Sequence, residues 1–267
     1  MRGLTVEYHL VDSCNLRCAG CSHFSSLIDK PTYRSVETII SDLGLLKEKV
    51  GDGLMWVRLM GGEPLLHPDI TECLEKVREL LPKTRLSLIT NGLLLYKMPQ
   101  VFYEACKTHK IEVRLTDYGI IDLQAQINSL KKQGIKASVY KTTKGWRYQN
   151  IRLTEERVDC FKDCRLKNIC NNYRDGKLFL CPQIAYVETF NERFGTNIKV
   201  DESDYIDIKT INSFDELQEK LKQMQPNFCY QYCNPNPVKG TWKRTEKNIE
   251  EFCLINNPNG SFCRKKE

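Results

Sequence analysis

His9-Leu10-Val11-Asp12-Ser13-Cys14-Asn15-Leu16-Arg17-Cys18-Ala19-Gly20-Cys21-Ser22-His23-Phe24 is the stretch on which the reading of this chain turns. An apolar run, residues 4–11, ends here and passes directly into three cysteines spaced CxxxCxxC: Cys14, Cys18 and Cys21. Ligand-binding loops of parallel α/β folds emerge at strand ends, so position and spacing point the same way. Thirteen cysteines in 267 residues would give only roughly 0.03 such triads by independent placement, so the pattern is not treated as accident. Three thiolates so placed can hold three irons of a cubic iron-sulfur cluster and leave the fourth open, whereas saturated clusters usually take four. Structural zinc, the competitor, favours complete tetrahedra built from CxxC-type pairs. No second pair lies close by in sequence.

Working outward, short apolar runs at residues 4–11, 54–60, 85–90, 111–116 and 136–140 are rich in β-branched or aromatic residues, as buried parallel strands are. Helical patterns lie between them. Val36, Ile39, Ile40, Leu43, Leu46 and Val50 share one face, as do Ile70, Cys73, Leu74, Val77, Leu80 and Leu81, with Asp69 and Glu72 as a capping pair. Weaker helices are expected at 99–107 and 123–132, the latter stopped by Gly134. This β-α alternation predicts right-handed crossovers and a parallel sheet, open or curled into a partial barrel. After Tyr140 the alternation fails. CNNYRDGKLFLCP (170–182) reads as a hairpin turning at Asp175-Gly176, residues 214–224 as a helix with Ser213 and Glu216 as a capping box, and the segment beyond Cys233 as loop-like.

The length suits one α/β domain with an appendage, or two small domains, and 41% hydrophobic with 28% charged residues is ordinary for a globular protein. Residues 1–10 carry charge and lack a signal-peptide apolar region, and no run approaches a membrane span, so a cytoplasmic address without membrane contact is expected. Thiols stay reduced there, and a large, odd cysteine count favours metal ligation over disulfides. The net charge of +6 is spread along the chain. The small basic cluster Arg264, Lys265 and Lys266 reads as a solvated terminus, so no nucleic-acid partner is expected.

The strand at 54–60 runs into Gly61-Gly62-Glu63-Pro64, where paired glycines allow close backbone approach to a ligand and a carboxylate can pair with an ammonium. Thr90-Asn91-Gly92, ending the next strand, offers groups suited to sugar hydroxyls. Taken alone, each motif also describes a simple turn.

Together these segments resemble the radical S-adenosylmethionine (radical SAM) superfamily over residues 4–140. The resemblance implies an α/β partial (β/α)6 TIM-like barrel in which Cys14, Cys18 and Cys21 hold a 4Fe-4S cluster whose unique iron chelates the methionine amine and carboxylate. Gly61, Gly62 and Glu63 would recognise that amine, and Thr90 with Asn91 would lie near the ribose. The residue before the third cysteine is often aromatic in the family, to pack on adenine; here it is Gly20, and His23 or Phe24 is expected to take over. The implied chemistry is one-electron cleavage of the sulfonium to a 5′-deoxyadenosyl radical that removes hydrogen from carbon. The reducing electron would come from a donor such as flavodoxin or ferredoxin.

A second cysteine set comprises Cys160, Cys164, Cys170, Cys181, Cys229 and Cys233. From Cys164 eleven residues lead to Gly176 and four more to Cys181, a spacing that resembles the SPASM and twitch auxiliary-cluster domains. Cys229 and Cys233 take the place of the following pair, with three intervening residues where two are usual. The shorter twitch form fits better, giving a small irregular cysteine-rich domain with one auxiliary 4Fe-4S cluster. The expected ligands are Cys164, Cys170, Cys181, Cys229 and Cys233, and which of Cys160, Cys164 and Cys170 completes the set is open. A zinc knuckle is the structural alternative. Cys73 and Cys106 read as core, and Cys253 and Cys263 as ligands or spare thiols. The divisions expected are residues 1–140, 141–235 and a tail, 236–267.

An auxiliary cluster could anchor the substrate or accept an electron from it. The first functional reading is an oxidoreductase resembling the twitch-containing aminocyclitol dehydrogenases, acting on a small polyol, sugar or aminocyclitol, with Asp117 or Tyr118 at a strand end as base. Asp117 could equally cap its loop. The second reading is modification of a ribosomally made precursor peptide by thioether formation, epimerisation or crosslinking. The third is a non-catalytic iron-sulfur or zinc protein.

Overall fold

The computed structural model describes residues 3–142, 145–164 and 169–255. Its frame is an eight-stranded sheet in the order β10-β9-β8-β1-β2-β3-β4-β5. Strands β1 (Leu4–Val11), β2 (Leu54–Gly61), β3 (Arg85–Thr90), β4 (Glu112–Asp117) and β5 (Ala137–Lys141) run parallel, close to the five expected spans. Helices α1 (Val36–Val50), α2 (Ile70–Leu80), α3 (Gln100–Thr108) and α4 (Gln124–Lys132) are the crossovers, and a right-handed crossover lays each on the same face. There Ile39, Leu43 and Leu46 of α1 and Cys73, Leu74 and Val77 of α2 are buried in one core with Leu4, Val6, Tyr8 and Leu10 of β1. Cys106 of α3 joins that core, so both helical cysteines are packing residues.

Two further pairs of short strands, β6 (Trp146–Tyr148) with β11 (Val238–Gly240) and β7 (Ile151–Leu153) with β12 (Cys253–Ile255), lie outside the main sheet. The expected hairpin forms from β8 (Asn172–Arg174) and β9 (Lys177–Phe179), with Asp175 at φ 52° and Gly176 at φ 76° in the turn. It belongs to the main sheet: β8 joins β1 in parallel through Glu7 and Asn172, and β10 (Tyr205–Asp207) pairs with β9. A sixth parallel strand is thus added beside β1, at the opposite side from β5.

The remaining helices are α5 (Pro182–Ala185), α6 (Val187–Phe194), α7 (Phe214–Gln223) and α8 (Asn227–Gln231). Ser213 caps α7 as expected, accepting from Glu216 N–H at 3.2 Å, while Glu216 reaches back to Asn212. The Asp69–Glu72 cap on α2 does not form: Asp69 makes no side-chain cap bond, and its N–H donates to His67 Nδ1 at 3.0 Å. The loop-like reading of the tail is also corrected, since β11 and β12 are built from it. Three-residue strands have no period to read, and their partners supply the register. Cys263 and the basic cluster Arg264, Lys265 and Lys266 lie outside the described residues. No helix among the described residues is long and apolar enough to cross a membrane.

Candidate functional site

The loop after β1 carries Cys14, Cys18 and Cys21, and the loop after β2 is clasped to it. Gly62 N–H donates to Val11 O at 2.8 Å and Glu63 N–H to Ser13 O at 3.1 Å. A Cβ on Gly61 would collide with Val11 O, and one on Gly62 with Ser13 O. The paired glycines therefore admit protein backbone, where the sequence suggested a ligand. Gly61, at φ 144°, also adopts a backbone that side chains disfavour.

Glu63 is completely buried. One oxygen accepts from Thr90 Oγ1 at 2.6 Å and Leu65 N–H at 3.1 Å, the other from Asn91 N–H at 2.9 Å. Burial pushes its carboxyl up to about 7 against these three hydrogen bonds. Asn91 Nδ2 in turn donates to Asn15 Oδ1 of the cysteine loop at 2.8 Å. GGEP and TNG are thus one hydrogen-bonded unit. Thr90 is 2% exposed and spent on Glu63, so a ribose contact through its hydroxyl is corrected to a role in fixing that carboxylate.

The three thiols converge. Burial, then the charge of Glu63, pushes Cys14 up to about 12, and Cys14 Sγ accepts from Leu16 N–H at 3.4 Å. Burial and then Cys21 raise Cys18. For Cys21 burial is outweighed by the hydrogen bond and charge of His23, which lower it. Tyr118 is raised well above the ordinary phenol range by burial and then by Cys18, Cys21, Cys14 and Glu63 together. Such a phenol keeps its proton near neutrality. Asp117 Oδ1 accepts from Gly119 N–H at 2.7 Å, capping its own loop. Both residues line a small cleft together with Leu16 and Asn91.

The two residues expected at the adenine differ in placement. Phe24 is buried against Phe190 and Phe252, with centroids at 5.3 and 6.2 Å. His23 faces Glu7, its Nε2 lying 3.5 Å from Glu7 Oε2. Burial alone would lower His23, but Cys21 and Glu7 hold it up to about 9. Gly20 is explained by β6, because a Cβ there would meet Arg147 O at 2.6 Å.

The tail closes over the same loop. Ala19 N–H donates to Lys243 O at 3.0 Å, Thr245 N–H to Arg17 O at 2.9 Å, and Cys18 and Arg244 form an antiparallel bridge. Trp146 Nε1 and Asn150 Nδ2 donate to Ala19 O and Gly20 O, at 2.7 and 3.1 Å.

The second cysteine set meets on the other side of this loop. Cys160, Cys164, Cys170, Cys181, Cys229 and Cys233 all line one cavity of about 440 Å³, together with Gly20, Ser22 and His23 of the cysteine loop and with Glu7. Burial pushes Cys181 up to about 12 and raises Cys170 and Cys229 further, neighbouring thiols adding to each. Cys160 is the exception, lowered to about 7 by its hydrogen bond with Cys233 and then by Arg152 against burial. Glu7 was missed in the sequence. It points inward from β1, pairs with Arg58 at 3.2 Å and accepts from Asn172 Nδ2 at 3.2 Å. Its signal was a lone carboxylate within an otherwise buried strand. Cys253 is buried in the core on β12.

Among the described residues no three His, Cys, Asp or Glu side chains are placed to hold a single metal ion. One zinc would draw its sulfurs to about 3.8 Å from each other, whereas a cubic cluster, with its body between them, needs them further apart. Three thiols, a main-chain N–H on Cys14 and backbone held close by glycines fit a cluster at the first site. A six-thiol cavity offers a complete ligand set at the second.

A parallel α/β sheet whose first strand delivers a three-cysteine loop defines the class, and residues 8–115 match the radical SAM superfamily. Residues 8–115 thus match a radical SAM domain, and the sheet they build is parallel-rich. The chain is similar to the GTP 3′,8-cyclase of Trichodesmium erythraeum (strain IMS101), 38% identical over 105 residues, or 38% of this chain and 32% of that one. The GTP 3′,8-cyclase of Lactiplantibacillus plantarum is 34% identical over 102 residues, 38% of this chain and 30% of its own. The chain thus spans about a third of the length of the curated relatives it matches. Among solved structures, BtrN in complex with AdoMet and 2-DOIA aligns over 84% of this chain and 87% of its own, with 12% identity and a TM-score of 0.46. That similarity is too distant to carry an activity across.

Proposed function

We propose that this chain cleaves S-adenosylmethionine reductively and uses the resulting radical to oxidise a small polyol, sugar or aminocyclitol, with an auxiliary cluster in the 141–235 segment taking the second electron. The observation that carries this reading is the shared cavity: His23, which hydrogen-bonds Cys21, and all six cysteines of the second set line one space. A cavity of about 440 Å³ lies within the small-molecule range and, with Glu7, Asn150, Gln183 and Asn234 in its wall, is polar enough for hydroxyl groups. That size favours a small substrate over a precursor peptide.

In this reading the 4Fe-4S cluster on Cys14, Cys18 and Cys21 supplies the reducing electron and an open iron for the methionine amine and carboxylate. Glu63, fixed by Thr90, Asn91 and Leu65, faces the amine as a buried carboxylate in need of a cation. The charged pair Glu7–His23 replaces Asp117 and Tyr118 as the proton-handling group of the cavity. The reaction would run in a reducing cytoplasm with flavodoxin or ferredoxin as donor.

The test is iron and sulfide content after anaerobic reconstitution of the wild type and of a Cys14→Ala/Cys18→Ala/Cys21→Ala variant. About eight irons falling to about four supports two clusters. About four falling to none removes the auxiliary cluster and with it the oxidation as proposed.

A further inference from the structure

The segment 241–245 reaches the cysteine loop from the far end of the chain, and its backbone is locked there by the Ala19–Lys243 and Thr245–Arg17 hydrogen bonds and the Cys18–Arg244 bridge. Tyr148 holds the same strap, its hydroxyl donating to Thr241 O. Trp242, on the strap, buries its indole Nε1, and that atom has no hydrogen-bond partner. A buried N–H is seldom left without an acceptor.

Resting on the iron-sulfur reading above, we propose that, with the cluster in place, Trp242 donates its orphaned indole N–H to the sulfur of Cys18 and so raises the reduction potential of the cluster that Cys14, Cys18 and Cys21 hold. The strap that carries Trp242 is fixed on both sides of Cys18, at Arg17 and at Ala19, and pairs with Cys18 itself, which sets the indole beside this ligand. The other two sulfurs take their donors from within the loop, Cys14 from Leu16 N–H and Cys21 from His23. Cys18 is supplied from outside it. Adding an electron makes the cluster and its thiolates more negative, so a donor on sulfur stabilises the reduced form more than the oxidised one. Trp242 is therefore a positioning and tuning residue: it touches a ligand of the cluster and not the substrate. The strap also shields this sulfur from water, which would otherwise supply hydrogen bonds of its own.

The test compares wild type and Trp242→Phe as reconstituted full-length protein, in a redox titration followed by electron paramagnetic resonance without S-adenosylmethionine, and in resonance Raman spectra recorded in H2O and D2O. The expected result is wild-type iron content, a midpoint potential shifted to more negative values, and iron-sulfur stretching bands less sensitive to D2O than in the wild type. Full iron with an unchanged potential overturns the hydrogen bond. If Trp242→Phe does not take up iron, benzothienylalanine at position 242, the same bicycle with sulfur in place of N–H, repeats the titration, and a wild-type potential there overturns the proposal. No loss of iron on replacing Cys14, Cys18 and Cys21 overturns instead the cluster reading beneath it.

Discussion

A carboxylate taken out of water among neutral donors tends to keep its proton, and Glu63 does so up to about 7. The unfolded chain gives that proton up near 4.5, so its contribution to stability is fully present below 4.5 and is lost as pH rises through 7. The loss is on the order of 3 kcal/mol. An ammonium against the carboxylate would recover it. Binding of S-adenosylmethionine to the wild type is therefore expected to weaken about tenfold per pH unit below 7. Glu63→Gln should bind at least about tenfold more weakly at pH 8 and show no such pH dependence. Calorimetric titration at pH 6, 7 and 8 checks both. Glu63 was legible as a candidate ligand-binding residue in its motif. Its partners were not, because Thr90 and Asn91 lie on a different strand end and meet it only through the parallel register of β2 and β3.

The β8–β9 hairpin carries Arg174 to the end of β1, where its guanidinium binds both oxygens of Asp12 at 3.1 Å, and it leads directly into Cys181. Its two turn residues both have positive φ, a geometry that matches the twist of the flanking strands and that Asp-Gly sequences prefer. At Gly176 an added Cβ would meet nothing closer than Lys209 Cε at 3.7 Å. The cost of Gly176→Ala is thus conformational, about 1 kcal/mol in urea denaturation, with iron content unchanged. The hairpin was readable because its turn chemistry is local. Its place in the main sheet was not, because one pairing, Glu7 with Asn172, attaches it to β1. The strands β11 and β12 were unreadable for a related reason: their register comes entirely from β6 and β7.

Taken together, the molecule sets a three-cysteine loop and a six-cysteine cavity on either side of Glu7 and His23. The arrangement predicts that the two sites can be emptied separately. Cys181→Ala should leave about four of about eight irons, retain reductive cleavage of S-adenosylmethionine and abolish substrate oxidation. Iron analysis together with chromatography of 5′-deoxyadenosine checks the separation. If Cys181→Ala keeps all its iron, Cys181 is not a cluster ligand.

The five parallel strands, their four crossover helices and the cysteine triad could be read from the chain alone, because each rests on spacing within a few residues: alternation, the helical repeat and CxxxCxxC. The folded chain alone places Glu63 on Thr90 and Asn91, turns Phe24 into the core, lays the strap of Trp242 and Arg244 against Cys18 and closes six cysteines around one cavity. These are contacts between residues far apart in the chain, and no local pattern encodes a distance that only packing and strand register set.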